Sequence, residues 1–273
     1  MTDNEVVNRE LLAAIDDKRM LVLATVVRAE AGAPTSVGQK LLVDENRQVT
    51  GSLGDADLDA RVTADALVAM DDRKSRVASY SPGNGAASNA HAADVFLEVV
   101  EPQPTLVLVG AGHIAVPLAQ MGKMLSFEVI VLDDREKFAN RERFPDADQV
   151  LAADFGPSLA SLKITRATYI VIITRGHQYD EEALMEVAES PAAYIGMIGS
   201  RRRVQAVRDN LAAVGFDPAK VDRVHAPIGL EIGAETPEEI AVSIMAEIIA
   251  VRRGGRGLPM SEVARNRELR LSR

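Results

Sequence analysis

Apolar residues recur every three to four positions at Val6, Val7, Leu11, Leu12 and Ile15, and this spacing predicts a helix over residues 6–18. Residues 20–28 are rich in valine and leucine and read as a strand. The stretch 30–39 carries Gly32, Pro34 and Gly38 and reads as a loop. Strands are expected over 40–44 and 48–53, joined as a hairpin across Glu45-Asn46-Arg47. A polar turn over 54–59 leads into a helix over 58–70, a short strand over 76–80, a loop of small residues over 81–90 and a strand over 94–100. Glu101-Pro102-Gln103-Pro104 then puts two prolines into four residues, a stiff linker at which the composition changes. The expected organisation is a smaller N-terminal α/β domain over 1–101, a second α/β domain over 102–253 and a basic C-terminal tail over 254–273.

Beyond the linker the pattern alternates strand and helix, the rhythm of a parallel α/β sheet. Residues 105–109 are a short apolar run, and Ile114, Leu118, Met121 and Leu125 follow at helical spacing. A second apolar strand over 127–132 ends on Asp133 and Asp134. Further strands are expected over 149–152, over 168–174 (a central strand, by its unbroken apolar run) and over 193–198. Helices are expected over 180–188 and from Gly199-Ser200-Arg201 onward. Thr236-Pro237-Glu238-Glu239 is a capping box with proline at the first helical position, opening a long helix to about Arg252.

Between the first two of these strands lies Gly110-Ala111-Gly112-His113-Ile114-Ala115, a G-x-G-x-x-A turn with an acid about 20 positions on. That spacing suits a dinucleotide: Gly110 permits the tight turn, Gly112 lets backbone approach a pyrophosphate, and Ala115 keeps helix close to strand. The unpaired N–H groups at the helix start favour phosphate. Ligands of open parallel sheets sit at the carboxyl ends of the strands. Those ends carry Gly110, Gly112, His113 and Ile114, then Asp133 and Asp134, then Thr174 to His177, then Gly199, Ser200 and Arg201 to Arg203, which would converge on one crevice. Asp133 is expected to accept from a ribose hydroxyl. Arg201, Arg202 and Arg203 are candidates for phosphate, and His113 either contacts phosphate or caps its own helix. His177 and Asp180 stand three apart but lack a third ligand nearby, so a metal site is not expected.

The formal charge of −9 argues against a general nucleic-acid binder, and no apolar run reaches the roughly 18–20 residues of a membrane span. The acidic, polar start lacks the pattern of a signal peptide, so a cytoplasmic protein is expected. There is no cysteine, hence no thiolate nucleophile or zinc–sulfur site. No P-loop lysine, G-x-S-x-G elbow or tyrosine-x-x-x-lysine pair is present, so the residues alone supply no catalytic machinery. The tail is basic, with seven arginines against two glutamates over 250–273; it reads as a solvated or self-docked extension balancing an acidic body, or as a segment that Leu258, Val263, Leu269 and Leu271 anchor on a second copy of the chain.

From Leu106 onward the chain resembles the XdhC/CoxI family, accessory proteins of molybdenum hydroxylases. The blocks that carry the resemblance are LVLVGAGHIA, VIVLDDREKFANRERFPDAD, VIITRGHQYDEEAL, YIGMIGSRRR and PIGLEIGAETPEEIAVSIMAEIIA, in the family's order. The first domain is similar more loosely, through LATVVRAEAGAPTSVGQKLLVDENRQVTGSLG with Ala33-Pro34 and Gly38. The resemblance implies a Rossmann domain beside a smaller α/β domain. It also implies delivery or sulfuration of the molybdenum cofactor, as a homodimer serving a molybdenum hydroxylase client. Two departures stand out. Where the family has a Gly-Gly-Cys turn, this chain has Asp55-Ala56-Asp57, and Asn89-Ala90-His91 stands where the family has Cys-Gly-Gly. The expected role is therefore a cofactor-handling chaperone without its own sulfur transfer, rather than a catalyst. It would bind a nucleotide or dinucleotide, NAD(P) or molybdopterin-type, in the crevice. The alternatives are an NAD(P)-dependent oxidoreductase and a nucleotide-sensing regulator.

Overall fold

A computed structural model of the chain describes residues 3–81 and 93–263. The expected loop over 81–90, Ser81 apart, and half of the tail, residues 264–273 with Leu269 and Leu271, lie outside the described residues. The chain divides into two compact units, Met1–Pro102 and Gln103–Arg273.

The first unit is an antiparallel sheet with a helix on each face. Its strands are β1 (Leu21–Ala29), β2 (Lys40–Asp44), β3 (Val49–Gly51), β4 (Arg76–Tyr80) and β5 (Ala93–Val100), in the order β3-β2-β1-β5-β4. Alternate residues of β1 point to opposite faces. Val22, Ala24 and Val26 pack in one cluster with Leu58, Val62 and Ala66 of α2 (Ala56–Asp72). Leu21 and Leu23 pack in another with Val7 and Ala14 of α1 (Asp3–Asp16). Burial on both faces explains why β1 reads as a nearly continuous apolar run although its neighbours are antiparallel. Helix α2 starts earlier than its apolar period suggests, because Asp55 in the expected polar turn caps it, accepting from the Leu58 amide at 2.8 Å.

The second unit is a five-stranded parallel sheet. Its strands are β6 (Thr105–Val109), β7 (Glu128–Asp133), β8 (Gln149–Ala152), β9 (Thr168–Ile172) and β10 (Tyr194–Met197), in the order β10-β9-β6-β7-β8. The chain leaves β6 toward β7 and β8, then returns to build β9 and β10 on the other side. The switch point therefore lies between β6 and β9, where Val107 pairs with Ile170. Leu106, Leu108, Val129 and Val131 face α3 (Ala115–Met124) and α8 (Pro237–Arg253). Val107, Val109, Ile130 and Leu132 face α4 (Phe155–Ser161), α5 (His177–Val187) and α6 (Arg201–Ala213). The short α7 (Pro218–Val221) follows, and His225 then bridges to Gly196 beside β10. The capping box of α8 is present in full: the Thr236 hydroxyl accepts from the Glu239 amide, and the Glu239 carboxylate accepts from the Thr236 amide.

One connection departs from the usual βαβ pattern. Residues 134–148, between β7 and β8, run as a series of turns instead of a crossover helix. They are anchored by Ala139, Phe144 and Ala147, which join the core cluster of α3 and α8.

Candidate functional site

The glycine turn closes β6. Gly110 sits at φ +109°, and its amide donates to the Leu132 carbonyl at 2.7 Å. A Cβ there would stand 2.5 Å from the Ile173 carbonyl oxygen, so only glycine lets the turn lie this close to the chain leaving β9. Gly112 differs: a Cβ there would meet nothing within 4 Å. The open space in front of Gly112 is the space its backbone would yield to a ligand. Ile114 stands at the cap position of α3 and makes no side-chain cap bond, and His113 is exposed. The start of α3 is thus not closed by a capping side chain.

Asp133 is almost fully buried, at 1% exposure. Its carboxylate accepts from the Ala111 amide at 2.8 Å and from the Arg135 amide, Nε and Nη2 at 3.0, 2.8 and 2.9 Å. Burial raises its pKa, but Arg135 and the two amides outweigh burial and hold the carboxyl below its ordinary value. Both oxygens already have protein donors. Asp133 therefore ties the end of β7 to the glycine turn, whereas the sequence places a ribose hydroxyl on it. Asp134, the next residue, reaches solvent. Arg175 holds it through both Nη groups, the second at 2.7 Å, and lies over the Tyr179 ring at 4.2 Å. An exposed ion pair of this kind contributes about 0–1 kcal/mol and yields readily to another partner.

Thr174 ends the central strand segment and donates to the Asp180 carboxylate. Asp180 is fully buried and also accepts from Arg203 Nε at 2.7 Å. Burial pushes its carboxyl above the ordinary range, against the bonds from Thr174 and Arg203. Arg203, a phosphate candidate in the sequence, thus serves to fasten the start of α6 to α5. Ser200 caps α6, accepting from the Arg203 amide at 3.3 Å. Gly199 packs against Arg203 carbons, and Arg201 opens the helix with a side chain outside the described residues. Asp180 is also unavailable to a metal with His177. Among the described residues, no group of three or more histidines and acids could hold a metal ion.

The predicted residues are therefore linked in two chains of contact. Ala111 reaches Asp133 through its carboxylate while Gly110 bonds the Leu132 carbonyl, and Asp134 reaches the end of β9 through Arg175. Thr174 reaches Ser200 through Asp180 and Arg203. Sequence reasoning places Arg175 at a strand end, within residues 174–177, without giving it a role, and it misses Arg135 and Arg143. The signal for Arg135 and Arg143 was their place in the DDREKFANRERFPDAD block, which carries no secondary-structure period. An open cleft of about 590 Å³ is lined by Arg175, His177, Tyr179, Glu181 and Asn210. None of its lining belongs to the glycine turn; it lies past the end of β9 and meets the candidate site through Arg175.

In the first unit, the residues at the expected thiol turn form a carboxylate-capped helix start. Asp57 is exposed and pairs with Arg61 at 3.0 Å, and Asp59 accepts from the Ser52 hydroxyl and the Leu53 amide, both at 2.7 Å. The second thiol position, Asn89-Ala90-His91, lies outside the described residues.

The XdhC Rossmann domain family matches residues 106–248, more than half of the chain, and the XdhC and CoxI family matches residues 14–81. The chain is 34% identical over 241 residues to the uncharacterized protein YqeB of Escherichia coli (strain K12), covering 86% of this chain and 44% of that protein. It is 36% identical over 160 residues to a probable xanthine dehydrogenase subunit of Bacillus subtilis (strain 168), covering 59% and 46%. The chain thus spans about half the length of these two relatives. It is also 23% identical over 289 residues to the molybdenum cofactor insertion chaperone PaoD of Escherichia coli (strain K12), covering 92% and 89%. A crystal structure described as a xanthine dehydrogenase from Bacillus halodurans shares the fold, with a TM-score of 0.51 at 21% identity over 93% of this chain and 96% of that one. Matched in both units, with the Rossmann domain matched from β6 to α8, the chain belongs to the XdhC and CoxI family.

Proposed function

We propose that the protein is an accessory factor in the maturation of a molybdenum hydroxylase, and that it holds a nucleotide or molybdopterin-type ligand by its phosphate at the Gly110–Ala115 turn. The observation that carries this reading is the contrast between the two glycines. Gly110 is required by the protein's own packing, whereas a Cβ on Gly112 would face open space, which leaves that backbone open to a phosphate. Support for the maturation role comes from the resemblance to an insertion chaperone and to a probable xanthine dehydrogenase subunit.

The residues divide the work. Asp133 orients the turn from below, and the start of α3 offers amides to a phosphate. Asp134 is the acid within reach of a ribose or pterin hydroxyl, on exchange of its exposed partner Arg175. A molybdopterin-type ligand would bring dithiolene sulfur, and none of the 273 residues offers it a thiol partner. In this reading the protein carries or presents its ligand to a client hydroxylase, as a homodimer in the cytoplasm, without relaying persulfide sulfur. Calorimetric titration with NAD+, NADP+ and ADP, alongside molybdopterin released from a molybdenum enzyme, tests it. Binding of at least one phosphate-bearing compound, lost in Gly112→Val, is the expected result. An oxidoreductase would instead transfer hydride from NADH or NADPH, which a spectrophotometric assay against an artificial acceptor would detect.

A further inference from the structure

We propose that Arg143 is the positioning residue of the glycine turn, setting the direction of two backbone amides before any ligand arrives. This inference rests on the reading of the turn as a phosphate seat.

Arg143 comes from the irregular connection between β7 and β8. Asn140 Oδ1 accepts from its amide at 3.1 Å, and the neighbouring Phe144 is buried in the core. The backbone is thereby held so that the guanidinium reaches behind the turn. Nη1 donates to the Ala111 carbonyl at 2.6 Å and to the Phe138 carbonyl at 2.9 Å, and Nη2 donates to the Gly112 carbonyl at 3.4 Å. Two successive turn carbonyls therefore point at one cation.

The planar trans peptide converts this into a statement about amides. In each peptide unit the C=O and the following N–H point in opposite directions. Holding the Ala111 carbonyl fixes the Gly112 N–H away from Arg143, and holding the Gly112 carbonyl does the same for the His113 N–H. Among the described residues, no protein acceptor is bonded to either amide. Both face away from the guanidinium by the same peptide geometry, and a Cβ on Gly112 between them would find no neighbour within 4 Å. The Ala111 amide is already taken by Asp133, so the division is complete: one amide held by a carboxylate and two left for an anion. Arginine suits the task because its fork of donors spans two carbonyls and it stays charged at all physiological pH values. A lysine ammonium offers a single point and cannot bridge both.

The test uses the full chain and two variants, Arg143→Lys and Arg143→Gln, so that a folding defect in one leaves the other. The first measurement needs no ligand. Amide resonances and hydrogen exchange of Gly112 and His113 are compared by 15N NMR with those of β6 residues. The expected result is shifted, exchange-broadened Gly112 and His113 signals with β6 unchanged. The second is titration with ADP and with adenosine. ADP is expected to weaken about tenfold, and adenosine to be unaffected, because only the phosphate meets the amides. Unchanged Gly112 and His113 amides in a folded variant would overturn the inference, whatever binds. Wild-type protein that binds no phosphate compound would instead overturn the phosphate-seat reading, while the amide comparison still decides the role of Arg143.

Discussion

Gly112→Val is expected to abolish binding of phosphate-bearing ligands while leaving the melting temperature within a degree or two, because its side chain would enter open space. Gly110→Ala is expected to do the opposite kind of damage. Its Cβ would press on the Ile173 carbonyl in a left-handed backbone, costing about 1–3 kcal/mol in chemical denaturation. Glycine spacing made the turn legible in the sequence, but not which glycine serves packing and which the ligand. That distinction depends on the carbonyl of a strand more than 60 positions away. The state of Asp133 was equally hidden, since its acceptor capacity is consumed by Arg135 through side-chain geometry that no pattern encodes. A half-buried acid has consequences for pH. Glu247 accepts from the Tyr194 hydroxyl and from the Gly229 amide at 2.9 Å, with His225 Nδ1 at 3.5 Å. Burial raises its pKa, but those partners outweigh burial and leave it below the ordinary carboxylate value. Its stabilising effect is then complete above the unfolded-state pKa and fades as pH falls through the lower folded-state value. Glu247→Gln should lose about 1–2 kcal/mol at neutral pH and show a flatter acid limb when stability is followed by urea denaturation across pH. An unchanged acid limb would show that Glu247 does not contribute.

The strands and helices with a clear period were read correctly in kind. Their ends shifted where a cap or a left-handed residue, rather than an apolar position, set the boundary. Helix α1 stops at Asp16 and Lys18 takes φ +55°, and α2 gains its first turn from Asp55. The short α4 and α7 went unread, and so did the path of residues 134–148. Aperiodic segments leave no pattern in the sequence; they are held by individual contacts. Phe144→Ala should therefore destabilise by about 3–5 kcal/mol, as loss of a buried aromatic, although it lies in neither helix nor strand. If calorimetry shows a loss below about 1 kcal/mol, the connection is not anchored as described. Thr236→Ala removes one half of the α8 capping box and should cost about 1 kcal/mol, a smaller effect that the sequence did foretell.

The resemblance, the paired family matches and the two-unit architecture agree on an XdhC and CoxI protein whose described thiol turn is built from aspartates. No helix among the described residues is long and apolar enough to cross a membrane. With no cysteine in 273 residues, incubation with a cysteine desulfurase and labelled sulfur should leave no stable label on the purified chain. The proposed homodimer is open to an equally direct test. Removal of residues 254–273 should lower the mass seen by light scattering if the basic tail holds a second copy of the chain, with salt shifting exposed contacts first. Equal mass for both chains at every salt would mean that the tail does not hold the assembly together. What the Rossmann unit carries is best decided by mass spectrometry of the small molecules released from gently purified wild-type and Gly112→Val protein. The account predicts a phosphate-bearing nucleotide or pterin in the wild type and its absence from the variant. Equal retention in both, or no phosphate-bearing molecule in the wild type, would contradict it.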